Sequence, residues 1–146
     1  MKRALAVLFI ALGALFVSGC AGKYPWRAEA VVTPEVRIAP QEVFLRKDRL
    51  FVKVIIVNLT KEPLIVSRDL VTLQIGSGRT LSRSSGLTTQ HQAYTLNPGA
   101  SHDVNIDFKD DILTDGVNSA NIVWKGALRA GSRELEVPPT PVQRQD

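Results

Sequence analysis

Residues 50–58 alternate their side chains with a period of two, which is the repeat of a β-strand rather than of a helix. The first face of this stretch carries Leu50, Val52, Val54 and Ile56. The second face, with Phe51, Lys53, Ile55 and Val57, is also mostly apolar. A strand that is apolar on both faces is typical of the interior of a sheet, so we expect neighbouring strands on both sides of it.

Shorter stretches with the same period follow along the chain, separated by turn residues at short intervals. They predict strands within residues 30–38, 64–66, 70–75, 79–83, 94–96, 103–108, 122–128 and 135–137, with Pro34 interrupting the first. Asn58-Leu59-Thr60 begins a turn, and Asn97-Pro98-Gly99 fits a type II turn, because proline fixes φ at its second position and glycine accepts a positive φ at its third. Residues 84–93 are polar without a burial pattern, which predicts an exposed, mobile loop.

These strands predict an all-β fold, an immunoglobulin-like β-sandwich of about seven to nine strands. Residues 50–108, with a hydrophobic strand that ends in Asn58, the sequence Leu96-Asn97-Pro98-Gly99 and a strand that ends in Phe108, resemble small immunoglobulin-like domains of bacterial lipoproteins of unknown function. The Cys-Trp-Cys arrangement of antibody domains is absent from the sequence. A closed barrel remains the alternative, since strand number alone does not separate the two.

The N-terminus has the pattern of a secretory signal peptide. Lys2 and Arg3 precede an apolar run over residues 4–17, which would span roughly 21 Å as a helix, against about 30 Å for the hydrocarbon core of a bilayer. The run is therefore too short to span the hydrocarbon core of a bilayer without a mismatch in length. Small residues follow it, directly before Cys20, the single cysteine of the chain.

Val17-Ser18-Gly19-Cys20 resembles the lipobox of bacterial lipoproteins. The resemblance implies signal peptidase recognition of Val17, Ser18 and Gly19, a diacylglycerol on the sulfur of Cys20, and acylation of the new N-terminus. Several acyl chains anchor a protein essentially permanently. Because Ala21 stands where an aspartate would imply retention at the inner membrane, the resemblance favours the outer membrane, with the domain facing the periplasm; the inner membrane and the cell surface are the alternatives. An ordinary cleaved signal peptide is the competing interpretation.

The sequence therefore divides into a signal peptide over residues 1–19, a lipidated tether over residues 20–28, a domain over residues 29–138 and a flexible tail over residues 139–146. Pro25 interrupts the tether, and Pro138, Pro139 and Pro141 interrupt the tail. The tether would bring a membrane-proximal group to the headgroups, where aromatic and cationic side chains are favoured. That group is Lys23, Tyr24, Trp26 and Arg27. The alternative for Trp26 is packing against the edge of the domain.

Composition excludes nucleic acid as an expected partner. Removing Lys2 and Arg3 from the 18 basic residues leaves 16 against 14 acidic ones, and they are scattered instead of forming a stripe. With Cys20 acylated, no thiol remains for a disulfide, so packing alone has to stabilise the domain.

The sequence offers little enzyme chemistry, and we expect neither an enzyme nor a cofactor. There is no Gly-x-Ser-x-Gly motif, and His91 and His102 lack the spacing of a metal pair. The single acidic cluster matches no EF-hand loop, so a charged loop in water is favoured over a calcium site. The cluster is Asp103, Asp107, Asp110, Asp111 and Asp115.

Two functions remain. The first is a structural or adaptor module that uses a sheet edge or loops to bind another envelope protein. The second is a module for envelope glycan or a small molecule, which would need exposed aromatic platforms, and the candidates are Tyr94, Trp26 and Trp124. Since Trp124 is in phase with the apolar Ile122 and Leu128, we expect it in the core and favour the adaptor.

Overall fold

A computed structural model describes residues 23–76, 78–84 and 93–145 of the 146-residue chain. This part of the chain is an all-β sandwich with two short 3₁₀ helices, Arg68–Leu70 and Asp111–Thr114. The strands are β1 (Lys23–Ala28), β2 (Val31–Val32), β3 (Val36–Arg46), β4 (Arg49–Asn58), β5 (Leu64–Ser67), β6 (Thr72–Ile75), β7 (Arg79–Ser82), β8 (Ala93–Leu96), β9 (Ser101–Lys109), β10 (Ser119–Val123), β11 (Leu128–Ala130), β12 (Arg133–Glu134) and β13 (Thr140–Arg144).

The strands form two sheets in which every neighbouring pair is antiparallel. The large sheet has the order β7-β6-β10-β13-β1-β3-β4-β9, and β2 pairs separately with β3. The small sheet has the order β12-β11-β5-β8. The predicted all-β sandwich is confirmed, and the immunoglobulin-like assignment stays a prediction.

The large sheet curls until its two end strands approach each other. The Ser84 N–H, just after β7, donates to the Asp107 carbonyl of β9 at 2.8 Å. Arg79 of β7 and Asp110 after β9 form an ion pair at 2.6 Å across the same gap. The core lies inside this curl, under the small sheet.

Strand β4 is the long internal strand that its sequence predicts. It pairs with β3 on one side and with β9 on the other. Its burial alternates strictly, with Leu50, Val52, Val54 and Ile56 buried and the residues between them partly exposed. Of the two faces of this strand, the one with Leu50, Val52, Val54 and Ile56 therefore points into the core.

Two prolines of the first half of the chain, Pro34 and Pro40, lie at breaks in pairing. Pro34 separates β2 from β3, as expected from its place in residues 30–38. Strand β3 is longer than predicted, and its register with β4 shifts between Pro40 and Glu42. A bulge at that point accommodates a residue that has no N–H to donate to the ladder.

The tether and tail assignments are wrong for the described residues, because both segments are strands. β1 occupies 23–28 of the predicted tether and pairs with β3 and β13. β13 occupies 140–144 of the predicted tail and lies between β10 and β1. Since both add to the large sheet, the strand count exceeds the predicted seven to nine.

The hairpin turns follow their sequence. Gly99 has a φ of +77° and the Ala100 N–H donates to the Asn97 carbonyl at 2.9 Å, so the turn at Asn97-Pro98-Gly99 has the positive φ at its third position that a type II turn needs. The β6–β7 and β11–β12 pairs are also hairpins. The predicted strand over 135–137 does not form, since the second arm of the last hairpin is Arg133–Glu134, and the predicted strand over 122–128 is divided between β10 and β11. The loop predicted over residues 84–93 lies almost wholly outside the described residues.

Candidate functional site

The predicted lipid-attachment site at Cys20 and the predicted signal peptide, with Val17, Ser18 and Gly19, lie outside the described residues. The structure starts at Lys23, whose register partner is Arg46 beside the β3–β4 turn. We call this the entry end of the sandwich: Lys23, Arg46, and the turn residues Lys47 and Asp48. The two helices of the described part of the chain are short 3₁₀ turns, and neither could span a bilayer.

The four residues predicted to be membrane-proximal do not share one environment. Tyr24 is half exposed, with the Arg144 guanidinium 4.8 Å from its ring centroid, and Arg27 is exposed. Trp26 is only 4% exposed and belongs to the core. Its placement at the headgroups is wrong: it packs into the domain, because β1 turns its side chain inward.

The opposite end of the large sheet carries exposed apolar side chains. Val32 of β2 is 67% exposed and Leu59, after β4, is 46% exposed. The Leu59 N–H donates to the Glu35 carbonyl at 2.9 Å, and Arg133 pairs with the Glu35 carboxylate. We call this the distal end: Val32, Glu35, Leu59 and Arg133.

A buried arginine lies between the two sheets. Arg68 is 2% exposed, and its Nη1 donates to the Asn105 carbonyl of β9 at 2.9 Å. Its guanidinium lies 5.9 Å from the ring centroid of Tyr94. The sequence analysis missed this residue. Arg68 directly follows β5 and continues the alternation of the buried Leu64 and Val66, which places it on their inward side.

Tyr94 and His102 form an aromatic pair beside this arginine. Their ring centroids are 4.5 Å apart and the rings are tilted by 43°. Tyr94 is partly buried and His102 is exposed. His91 lies outside the described residues.

Most of the acidic cluster is engaged by basic neighbours. Asp107 pairs with Arg49 at 2.9 Å, and Asp103 with Lys53 at 3.2 Å, both across the β4–β9 ladder. These acids are spread along an outer face of the sheet, so their oxygens do not converge on one point. Among the described residues, no group of three or more potential metal ligands is found.

Asp110 lies in a shallow cleft of about 620 Å³, and both of its carboxylate oxygens accept hydrogen bonds. Its Oδ1 accepts from the Ile112 N–H at 2.9 Å and its Oδ2 accepts from Arg79 at 2.6 Å. The backbone N–H of Ile112, and then Arg79, hold the pKa of Asp110 below its usual value. Asp111 and Asp115, which line the same cleft, are exposed.

Both tryptophans named as aromatic platforms are buried. Trp124 is confirmed as a core residue, and its Nε1 donates to Thr140 Oγ1 of β13 at 2.8 Å. Another open cleft, of about 700 Å³, borders β12 and the segment after it. Its lining is Lys125, Glu134, Leu135, Glu136, Val137 and Pro138, and it contains no aromatic side chain.

No protein-family model matches this sequence, and no curated protein matches it either. Its fold is similar to the crystal structure of the yjhA protein from Bacillus subtilis, with a TM-score of 0.50 and 12% sequence identity. The superposition covers 64% of this chain and 76% of that protein. At this identity the similarity concerns the fold alone, which agrees with the β-sandwich.

Proposed function

We propose that the chain is a lipid-anchored envelope protein that acts as a non-enzymatic adaptor. Acyl chains on Cys20 would hold it at the outer membrane, with the sandwich facing the periplasm. The distal end would then bind another envelope protein.

The observation that carries this proposal is the placement of the two ends. Lys23, three residues after Cys20, lies at the entry end, whereas Val32 and Leu59 lie at the other end of β3 and β4. The ten residues of β4 span roughly 30 Å at about 3.3 Å per residue. A chain anchored at Cys20 would therefore present the distal end away from the bilayer.

Two features make the distal end suitable for protein binding. Single exposed apolar residues are ordinary, but Val32 and Leu59 share one end of the sandwich. In addition, β2 pairs with β3 and with no other strand of the described chain, so it offers a short edge for strand addition.

A glycan-binding module has less support. Stacking on sugars needs exposed aromatic faces, and both tryptophans are buried. Tyr94 is in contact with His102 and only partly exposed, so none of the three candidate platforms presents an open aromatic face.

The anchor is tested by metabolic labelling with a palmitate analogue in a bacterial host. The wild-type chain should be labelled and Cys20→Ala should not. Ala21→Ser, which keeps the cysteine and the three residues before it, is the control and should be labelled like the wild type. Equal labelling of Cys20→Ala would contradict the lipid anchor.

The adaptor role is tested by photo-cross-linking in the native envelope. A benzophenone amino acid is placed at Val32 or Leu59, and at Gln41 as the control, which is exposed on β3 away from the distal end. We expect a discrete adduct with another protein from the first two positions alone. The same adducts from Gln41, or none from the distal end, would contradict the proposal.

A further inference from the structure

A row of four basic residues crosses four neighbouring strands at the entry end. Lys23 of β1 is in register with Arg46 of β3, Arg46 with Arg49 of β4, and Arg49 with Lys109 of β9. The β3–β4 turn adds Lys47 beside this row. Basic residues that look scattered in the sequence are therefore aligned by the register of the sheet.

This row and its turn carry a local cost. Like charges directly opposite each other destabilise a strand pair. The two-residue β3–β4 turn requires a positive φ at its first position, and Lys47, with a φ of +55°, stands there although non-glycine residues seldom adopt this conformation. Violations of local preference of this kind tend to occur at functional sites.

The acidic residues nearby neutralise only part of the row. Arg49 pairs with Asp107 at 2.9 Å, and Lys109 lies 3.7 Å from Asp48. Arg46 and Lys47 are exposed and form no ion pair with any described residue. Since Asp110 and Asp111 follow Lys109, the excess positive charge lies at Arg46 and Lys47, beside the β3–β4 turn.

Aromatic side chains accompany the charges on the same outer face. Phe44 and Phe51 lie two residues from Arg46 and Arg49 along their strands, and their rings stack with centroids 4.9 Å apart. The Arg49 guanidinium is 5.9 Å from the Phe51 centroid. Partly exposed apolar rings beside cations combine apolar burial with attraction to anionic lipids, the two contributions that bind peripheral proteins to a bilayer surface.

The short link between Cys20 and Lys23 limits the distance between this row and the proposed lipid anchor. Two residues, Ala21 and Gly22, separate Lys23 from Cys20, so the Cα atoms of Cys20 and Lys23 lie at most about 11 Å apart in a fully extended chain. That reach is close to the Debye length of about 8–10 Å at physiological ionic strength, so charges in this row would act on lipid phosphates with limited screening.

We infer that the basic row at the entry end, with Lys47 at its turn, binds the anionic headgroups of phospholipids in the membrane that holds the chain. This inference rests on the proposed lipid anchor at Cys20. The headgroup contact would fix the orientation of the sandwich, with the distal end pointing away from the bilayer.

The experiment compares the acetylation rates of two lysines in one molecule. The full chain, produced in a bacterial host and purified in detergent, is reconstituted into vesicles of phosphatidylcholine alone or with about one third phosphatidylglycerol. Mass spectrometry follows acetylation of Lys47 and of Lys61, an exposed lysine beyond the distal end of β4. It also reports the acyl chains on Cys20.

We expect Lys47 to react at least 5-fold more slowly on the anionic vesicles and Lys61 to react equally on both. High salt should remove the protection of Lys47, because it screens the attraction. Arg46→Glu should also remove it, whereas the matched control Arg37→Glu, exposed at the other end of β3, should not.

The outcomes separate the inference from the proposed function. Equal reactivity of Lys47 on the two kinds of vesicle, in a chain whose Cys20 is acylated, would overturn the headgroup contact and leave the anchor standing. A Cys20 without acyl chains would overturn the anchor and, with it, the placement of this row against the membrane.

Discussion

Asn58 is a buried polar residue whose replacement by aspartate should sharply destabilise the fold. Its Nδ2 donates to the Glu62 and Leu96 carbonyls at 2.8 and 2.9 Å, and its Oδ1 accepts from the N–H and the hydroxyl of Thr60 at 2.9 and 2.7 Å. The amide thus uses its full hydrogen-bonding capacity. It joins the end of β4 to the end of β8, across the two sheets.

Asn58→Asp keeps the size of the side chain but removes both donors. Two hydrogen bonds worth about 1 kcal/mol each are lost, and a buried carboxylate faces two carbonyl oxygens. An uncompensated buried charge costs about 3–5 kcal/mol, which is a large part of a typical stability of about 5–15 kcal/mol. For a chain of this size we expect the melting temperature to fall by more than about 10 °C.

Urea unfolding followed by circular dichroism measures this loss. Asn121→Asp is the matched control, because Asn121 is exposed on β10, and it should unfold within about 0.5 kcal/mol of the wild type. If Asn58→Asp had the same unfolding midpoint as this control, the argument that the Asn58 network holds the sheets together would be refuted.

Three further changes test the fold. Deleting residues 139–146 should abolish the cooperative thermal melt, because β13 lies between β10 and β1. A melt like that of the wild type would show that these residues are a flexible tail. Ile106→Asp, at a buried position of β9, should cost several kcal/mol in urea unfolding, whereas Asn105→Asp next to it, exposed, should not. The pKa of Asp110 is lowered in the folded state, so its ionised carboxylate stabilises the fold above the usual carboxyl pKa. This stabilisation is lost as the pH falls through the lowered pKa. On acidification from pH 5 to pH 2 the wild type should therefore lose more thermal stability than Asp110→Asn.

The parts of the fold that the sequence predicts correctly are those with uninterrupted alternation. In β4 four buried apolar residues alternate with partly exposed ones, and in β9 three buried apolar residues alternate with polar ones. Hydrophobic burial therefore determines that these strands form and which of their faces points inward. The turn at Asn97-Pro98-Gly99 was predictable for another reason, since its φ values are properties of the residues themselves.

The wrong predictions concern short strands in which a proline interrupts the alternation of apolar and polar residues. Thr140 and Val142 are buried and flank the exposed Pro141, and Trp26 is buried between the exposed Pro25 and Arg27. Each segment is too short to show a period, and its pairing depends on partners far away in the sequence. A local pattern contains no information about such pairing, so β1 and β13 resembled a tether and a tail.

The interaction surfaces were harder to predict because register creates them. The basic row joins Lys23 to Lys109 through Arg46 and Arg49, residues that are adjacent only once β1, β3, β4 and β9 have paired. Arg68 is the exception: its phase with Leu64 and Val66 was readable, but a charged residue on an inward face contradicts the expectation that charges lie outside.

The correction at β1 changes what a lipid anchor at Cys20 would do. A tether over residues 20–28 would let the domain move freely up to roughly 25–30 Å from the bilayer. Because Lys23 is already paired with Arg46, only Ala21 and Gly22 stay between the anchored cysteine and the sheet. The distal end would then lie about 30–40 Å above the headgroups, counting the length of β4 and this short link. An envelope partner of the proposed adaptor would have to present its binding site within that height.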